Sequence, residues 1–277
     1  MAQAGVDIQT GGKMLDKSGV FHIIKELVGF VLYMHQQIPR TLEQLEMEFT
    51  NLKLEKERNA CKSTDTDTQF KVASQMKLIG KLRETNRGIK KLEKLITTVS
   101  NLLMAVQTMV CEVPEIQVVL LALGASPTHP RHVYEIHFTN KESIPMGVQK
   151  PSTEKKARAD ILSRKIIREL ISNGAGCAGG YSGPAKLFLL VKAPASIKLP
   201  EAFLPKRDYT YSKKVKPFRV HITSCDGNEE HERSNQFYQV DTTINMDPQN
   251  VNPQSNDFIW FHCKHAVQGF ACQVEHC

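Results

Sequence analysis

The stretch that decides the fold is PEIQVVLLALGASPTHPRHVYEIHF, at positions 114–138. Its residues 116–123 form a short, partly β-branched apolar run, which is typical of a buried strand, although periodicity alone leaves a helix open. Residues 124–130 are rich in small, turn-forming residues and predict a turn. Residues 133–138 then alternate in polarity, as a half-buried strand does. The stretch therefore predicts the start of a β-sheet.

Helices are predicted on the N-terminal side of this stretch, where apolar residues recur every three or four positions. They cover residues 16–37, a segment that begins at Thr41, and residues 69–108. Asp16 is placed to cap the first helix, and Thr41 with Gln44 forms a capping box for the second. Pro39 separates the two helices because the residue before a proline avoids the helical conformation.

One helix and several strands are predicted on the C-terminal side. The helix covers residues 154–172 and ends at Asn173 and Gly174, a typical C-terminal cap. Strands are predicted at residues 185–193, around 209–211, at 218–224 and at 258–261. The hydrophilic residues 226–256 predict a mobile loop. The chain order, with helices first and then strands around one helix, predicts the α+β class. We expect a single domain over residues 15–277, preceded by a flexible N-terminus at residues 1–14.

Length and composition indicate an ordinary globular protein. The chain has 277 residues, 41% of them hydrophobic and 23% charged, which excludes a largely disordered or fibrous chain. Its longest apolar run, residues 116–125, is about half of the ~20 residues that a membrane span needs. The N-terminus lacks the pattern of a signal peptide. We therefore expect a nuclear or cytoplasmic protein whose seven cysteines are free thiols.

Two motifs suggest ligand chemistry, but their context argues against it. Residues 174–179 match G-x-G-x-x-G, yet they follow a helix and precede a strand, the reverse of a dinucleotide site. Zinc-type ligands near the C-terminus lack the paired spacing of a metal site; they are His262, Cys263, His265, Cys272, His276 and Cys277. No sequence motif pairs a nucleophile with a base, so we expect no metal, no cofactor and no enzymatic activity.

The net charge of +7 is concentrated in two basic stretches, residues 77–94 and 198–219. Each carries seven Lys or Arg against two acids. The second is interleaved with Phe203, Tyr209, Tyr211 and Phe218, a mixture that suits nucleic acid because bases stack on rings while cations hold phosphates. A solvated surface and a docking surface for an acidic protein are the alternatives.

Six segments resemble a known family over residues 21–270. They are FVLYMHQQIP at 30–39, LEQL at 42–45, VYEI at 133–136, FLPK at 203–206, FIWF at 258–261 and GF at 269–270. In order and spacing they are similar to the HORMA-like adapters, the comet-type binding proteins of the spindle-checkpoint factor mitotic arrest deficient two. The Y-x-x-Q-Q-[IL]-P segment together with the late [FY]-I-W-F and G-F is fairly specific as a set.

The resemblance implies a HORMA-like fold, with three main helices on an irregular, mainly antiparallel sheet and a C-terminal safety-belt region. It places that region's strand at Phe258, Ile259, Trp260, Phe261, Gly269 and Phe270. Members are adapters that bind the closed conformer of a checkpoint HORMA protein and present it to a hexameric AAA+ ATPase. This dismantles the mitotic checkpoint complex and silences the spindle assembly checkpoint.

The resemblance also implies the residues that bind each partner. The HORMA partner would contact Met34 or His35, Arg164, Ile167, Arg168 and Ile171, and the ATPase would contact Pro205 and Lys206. Ile167 stands where the family has a phenylalanine, and residues 226–256 form an insertion that is much shorter in the family.

We expect a monomer in nucleus and cytoplasm, at the spindle or kinetochore in mitosis, without membrane or nucleic-acid partners. A nucleic-acid-binding module using residues 77–94 and 198–219 is the alternative.

Overall fold

Four helices account for most of the N-terminal half and one segment of the C-terminal half. The structure, a computed structural model, describes residues 6–10, 15–62, 72–113, 115–139, 153–176, 183–224 and 257–270. Within them the helices are α1 (Lys17–Met34), α2 (Leu42–Lys62), α3 (Val72–Glu112) and α4 (Thr153–Ser172). The loop predicted at 226–256, residues 177–179, and Cys272, His276 and Cys277 lie outside the described residues.

Local sequence signals set the starts of α1 and α2 and the end of α4 as predicted, whereas α1 ends at Met34 rather than residue 37 and α3 spans Val72–Glu112 rather than 69–108. The Asp16 carboxylate accepts a hydrogen bond from the Gly19 amide at 2.8 Å and caps α1. Thr41 and Gln44 exchange side-chain to backbone hydrogen bonds at the start of α2, as a capping box does. Gly174 ends α4 with a φ of 83°, which favours glycine.

The strands described form one mixed sheet, which confirms the α+β class. They are β1 (Val6–Thr10), β2 (Val118–Ser126), β3 (His129–Thr139), β4 (Lys186–Pro194), β5 (Phe203–Lys206), β6 (Phe218–Ser224), β7 (Phe258–Cys263) and β8 (Val267–Gln268). Their order is β1-β6-β3-β2-β4-β7-β5, and β8 pairs with β4 beside β7. The β1–β6 and β3–β6 pairs are parallel, and the other pairs are antiparallel.

Helices α1, α3 and α4 share the main core with one face of the sheet, here the inner face. Helix α2 packs on α3, and among its described side chains only Leu45 is fully buried, so three of the four described helices are central. The segment Leu82–Glu112 of α3 matches a membrane span in length and composition, as the core helix of a globular protein also does. Its Leu102, Val106 and Met109 are buried in this core.

A second, smaller core covers the opposite, outer face of the sheet. Leu120, Ala122 and Leu190 of the central strands pack there against Tyr209, with Tyr211 and Val215 at its border. Strand β2 is therefore covered on both faces, which explains why its sequence is a continuous apolar run rather than an alternating one.

Two expectations are corrected, and one strand was not predicted. Val6–Thr10, inside the segment 1–14 that we expected to be flexible, forms β1 in parallel register with β6. Residues 209–211, predicted as a strand, have no regular structure, because their tyrosines pack on the outer face instead of pairing in the sheet. The strand in this part of the chain is β5, which the sequence pattern did not indicate because Pro205 lies within it.

Candidate protein-interaction surfaces

Helix α4 presents an apolar and cationic side away from the core, here called the α4 face. It consists of Ile161, Arg164, Arg168 and Ile171, whose spacing of three, four and three residues places them on one side of the helix. Ile161 is 67% exposed and Ile171 45%. On the opposite side Ala159, Ile166 and Leu170 are buried, and Ile166 and Leu170 belong to the main core.

The α4 face differs from the predicted partner contact in two residues. Ile167, predicted as the central anchor, is half-buried and packs against the main core beside the exposed face. Ile161 was not predicted, yet it is the most exposed isoleucine of the helix. The signal that could have identified it is its position three residues before Arg164 and ten before Ile171. The four exposed residues form a stripe about 15 Å long.

Helix α1 contacts the α4 segment at two points. Near the start of the two helices, His22 Nε2 lies 2.6 Å from Asp160 Oδ1. Near their ends, Gly176 closes the turn after α4 with a φ of 85°, and a Cβ atom there would lie 2.6 Å from Met34 Cε. The two helices therefore run parallel. Met34, predicted as a partner contact, is half-buried and positions the end of α4.

His35, the alternative contact on the first helix, is engaged within the chain. Its Nε2 lies 2.8 Å from Tyr134 Oη, and its ring stacks on His132 with centroids 3.9 Å apart. Burial, and next the neighbouring His132, lower the pKa of His35 to about 4. The ring is thus neutral at physiological pH, and it fixes the end of α1 to β3.

Strand β5 is the last strand of the sheet order and carries the predicted ATPase contact. Phe203 is buried and anchors the strand beside β7, while Leu204, Pro205 and Lys206 are exposed. Pro205 lacks an amide hydrogen, and Lys206 carries a charge, so both discourage pairing with a further strand. The end of the sheet is therefore an accessible apolar and cationic surface, here called the β5 edge.

A buried carboxylate positions the basic loop that follows β5. Glu135 on β3 accepts hydrogen bonds from Tyr211 Oη at 2.7 Å and Arg219 Nε at 2.9 Å. Burial alone would raise the pKa of Glu135, but the nearby His137, 3.5 Å away, and the hydrogen bonds from Tyr211 and Arg219 outweigh it and lower the pKa to about 2. The exposed cations of the loop are Arg207, Lys213, Lys214 and Lys216.

The aromatic rings of this basic stretch are used inside the protein. Phe203 and Tyr209 are buried, and the Tyr209 hydroxyl donates to the Pro127 carbonyl at 2.8 Å. Phe218 stacks on Tyr134 with ring centroids 5.1 Å apart, and Tyr211 binds Glu135. The interleaved rings therefore do not form a stacking surface for bases, which removes the main argument for nucleic-acid binding by residues 198–219.

The C-terminal segment lies against the end of α1. The predicted strand residues Phe258, Ile259, Trp260 and Phe261 belong to β7, where Ile259 and Phe261 face the main core. Gly269 follows β8, and its amide donates to the Ala185 carbonyl at 2.9 Å. His262 and Cys263 point to opposite faces of β7, and no described cluster of three or more His, Cys, Asp or Glu is placed to hold a metal ion.

The predicted site residues thus fall on two separate surfaces, the α4 face and the β5 edge, with Met34 and His35 supporting α4 from the end of α1. No protein-family model matches the chain, and no curated protein matches it.

Proposed function

We propose that this protein is a non-enzymatic adapter of HORMA-like fold. It binds the closed conformer of a spindle-checkpoint HORMA protein and delivers it to a hexameric AAA+ ATPase. This disassembles the mitotic checkpoint complex and silences the checkpoint. The observation that carries the proposal is the placement of the α4 face and the β5 edge at opposite ends of one sheet.

The sheet sets the separation between the two surfaces. Helix α4 lies against β1, the first strand of the order, whereas β5 is the last. Six steps of about 4.8 Å between neighbouring strands amount to about 29 Å. The α4 face and the β5 edge are therefore separate sites on one chain. An adapter of this kind acts by raising the effective concentration of one partner near the other.

The α4 face has the composition of a binding hot spot for the HORMA protein. Ile161 and Ile171 supply apolar area that is exposed in the free protein and becomes buried on association. Arg164 and Arg168 lie between them, where charge sets orientation and partner choice more than affinity. Ile167 supports this face from below rather than forming its centre.

The β5 edge suits an acidic surface of the ATPase. Lys206 is exposed next to the rigid Pro205, and Leu204 adds an apolar side chain that is 48% exposed. Cationic groups at the rim of an interface increase the association rate with an acidic partner. Salt is therefore expected to weaken this contact.

The architecture supports the HORMA-like assignment without depending on these surfaces. Helices α1, α3 and α4 cover one face of a mainly antiparallel sheet, and the C-terminal strands β7 and β8 both pair with β4. In this proposal β7, β8, Gly269 and Phe270 constitute the safety belt.

Separate pull-downs with the closed HORMA protein and the ATPase test the proposal. The double variant Ile161→Asp, Ile171→Asp should lose the HORMA protein and keep the ATPase, while Lys206→Glu should do the reverse. Met47→Asp is the matched control, because Met47 is 67% exposed and lies on neither surface. Loss of both partners in either variant, or binding of neither partner by the wild type, would contradict the proposal.

A further inference from the structure

The outer side of α3 carries a line of four cations that the adapter function does not use. Arg83, Arg87, Lys90 and Lys94 are spaced by four, three and four residues, so they lie on one side of the helix. All four are exposed. Eleven residues of helix extend the line over about 16 Å. The opposite side of α3 is buried through Ile89, Leu92, Leu95 and Val99.

The charges of this line are not neutralised within the described part of the chain. None of the four cations forms an ion pair with a carboxylate there, and the nearest acids in sequence, Glu84 and Glu93, lie on the flanks of the line. Helix α2, by contrast, alternates exposed acids and bases, as in its Glu-Lys-Glu-Arg sequence at 55–58. The line on α3 is therefore a surface of a single sign.

We infer that this line of cations binds the phosphate backbone of nucleic acid. A phosphodiester chain presents charges at a regular spacing, about 3.4 Å along the axis for each strand of a duplex, so four cations over about 16 Å can each meet a phosphate. An acidic protein surface, by contrast, has no regular spacing of carboxylates that would match this line of cations. Helix α3 contains no Phe, Tyr or Trp, so bases have no ring to stack on. Binding is consequently to the backbone and independent of sequence.

The second basic region of the chain cannot belong to the same site. Helix α3 packs on the inner face of the sheet, whereas the loop bearing Lys213, Lys214 and Lys216 is attached to the outer face through Tyr209 and Tyr211. The two regions are separated by the thickness of the sheet. The loop therefore provides a control with the same charge at a different place.

Fluorescence anisotropy with a labelled duplex DNA of arbitrary sequence tests the inference on the full chain. The logarithm of the association constant should fall linearly with the logarithm of salt concentration, with a slope of about −3 to −4 for four phosphates. The variant R83Q/R87Q/K90Q/K94Q should bind at least about tenfold more weakly at low salt, with a nearly flat slope. Gln keeps the helix propensity of Lys and Arg, so α3 should stay folded, which circular dichroism checks.

The control variant R207Q/K213Q/K214Q/K216Q removes the same number of charges from the loop and should retain both affinity and slope. An equal loss in the control would overturn the inference, because binding would then reflect net charge alone. Absence of binding by the wild type at low salt would also overturn it. Stronger competition by polyglutamate than by unlabelled DNA would assign the line to an acidic protein instead. Each single variant, such as Arg87→Gln, should reduce the slope by about 1.

Discussion

The backbone amide of Phe270 donates a hydrogen bond to the carbonyl oxygen of Gln37 at 2.7 Å. This bond joins the C-terminal segment to the turn after α1, across more than two hundred residues of chain. The Gln37 side chain is 3% exposed and strengthens the same junction. Its Oε1 accepts from the Ala185 amide at 2.6 Å, and its Nε2 donates to the His35 carbonyl at 2.7 Å. Gln37 thus connects the end of α1 to the residue before β4 through its side-chain amide, and to the C-terminal segment through its backbone carbonyl.

Replacement of Gln37 by alanine should destabilise the fold. It leaves the buried amide of Ala185 without an acceptor, which costs about 1–3 kcal/mol. Urea denaturation measures the loss. Gln107→Ala on the exposed side of α3 is the control and should change the free energy of unfolding by less than about 0.5 kcal/mol. An equal loss in the two variants would refute the role of Gln37 as a junction.

Gly269→Ala should destabilise the protein because of the Gln37 side chain. A Cβ atom at position 269 would lie 2.9 Å from Gln37 Cβ and 3.0 Å from its Cδ, so one of the two segments must shift. We expect a loss of about 1–3 kcal/mol and faster hydrogen exchange at the Phe270 amide. Because Gln37→Ala removes the contact with the side-chain amide and leaves only the Cβ contact, the double variant should be less destabilised than the sum of the two single losses predicts. Strict additivity would show that the glycine is required for another reason.

Glu135 should stabilise the protein in a pH-dependent way. Its pKa in the folded protein is about 2, below the ordinary value of 4.5. A lowered carboxyl pKa means that the stabilisation is complete above about pH 5 and is lost as pH falls toward 2. Glu135→Gln should therefore cost about 3 kcal/mol at pH 7, and the gap to wild type should narrow below pH 4.5. Urea denaturation of both proteins from pH 7 to 2 measures this; a gap that stays constant would refute the charge network.

His35 should also make stability fall as pH falls, but in a higher pH window than Glu135. Its pKa is lowered to about 4 in the folded protein, so the unfolded chain takes up the proton first, near pH 6.5. The free energy of unfolding should therefore decrease as pH falls from 7 toward 4. His35→Gln keeps a polar partner for Tyr134 but does not titrate, so it should show a shallower decrease. NMR titration should find the His35 ring still neutral at pH 5.5, and a ring protonated at pH 6.5 would contradict its buried stacking on His132.

Local signals made much of the fold predictable, and distant contacts explain what was missed. The Asp16 cap, the Thr41 capping box and the strand β6 each depend on a few neighbouring residues, and all three were predicted from them. Strand β1 was missed because its pairing is with β6, more than two hundred residues later. Tyr209 and Tyr211 have strand propensity, but Trp260 and Glu135 hold them on the outer face instead.

The candidate site was predictable only in part for the same reason. Arg164, Arg168 and Ile171 were placed on the exposed side of their helix through the family resemblance, and the structure leaves all three exposed. Ile161 was missed because an isoleucine in a helix is usually a core residue, and only packing reveals that nothing in the described chain covers it. Ile167 was predicted as the anchor. The structure leaves it half-buried because of the angle at which α4 packs on the main core, and a sequence pattern does not give that angle.

Ile167 packs against the main core, whereas Ile161 and Ile171 are exposed, so a charge should act differently at these positions. Ile167→Asp would place a charge against the main core, so it should lower the free energy of unfolding and weaken partner binding for that reason alone. Ile161 is 67% and Ile171 45% exposed, so Ile161→Asp and Ile171→Asp should lower the melting temperature much less than Ile167→Asp does. Each should nevertheless weaken binding of the HORMA partner by about 2–5 kcal/mol, because the carboxylate would be buried without a partner in the complex. Thermal melts and titration calorimetry on the three variants separate the two effects. Full affinity in a folded Ile161→Asp variant would remove Ile161 from the interface and return the anchor to Ile167.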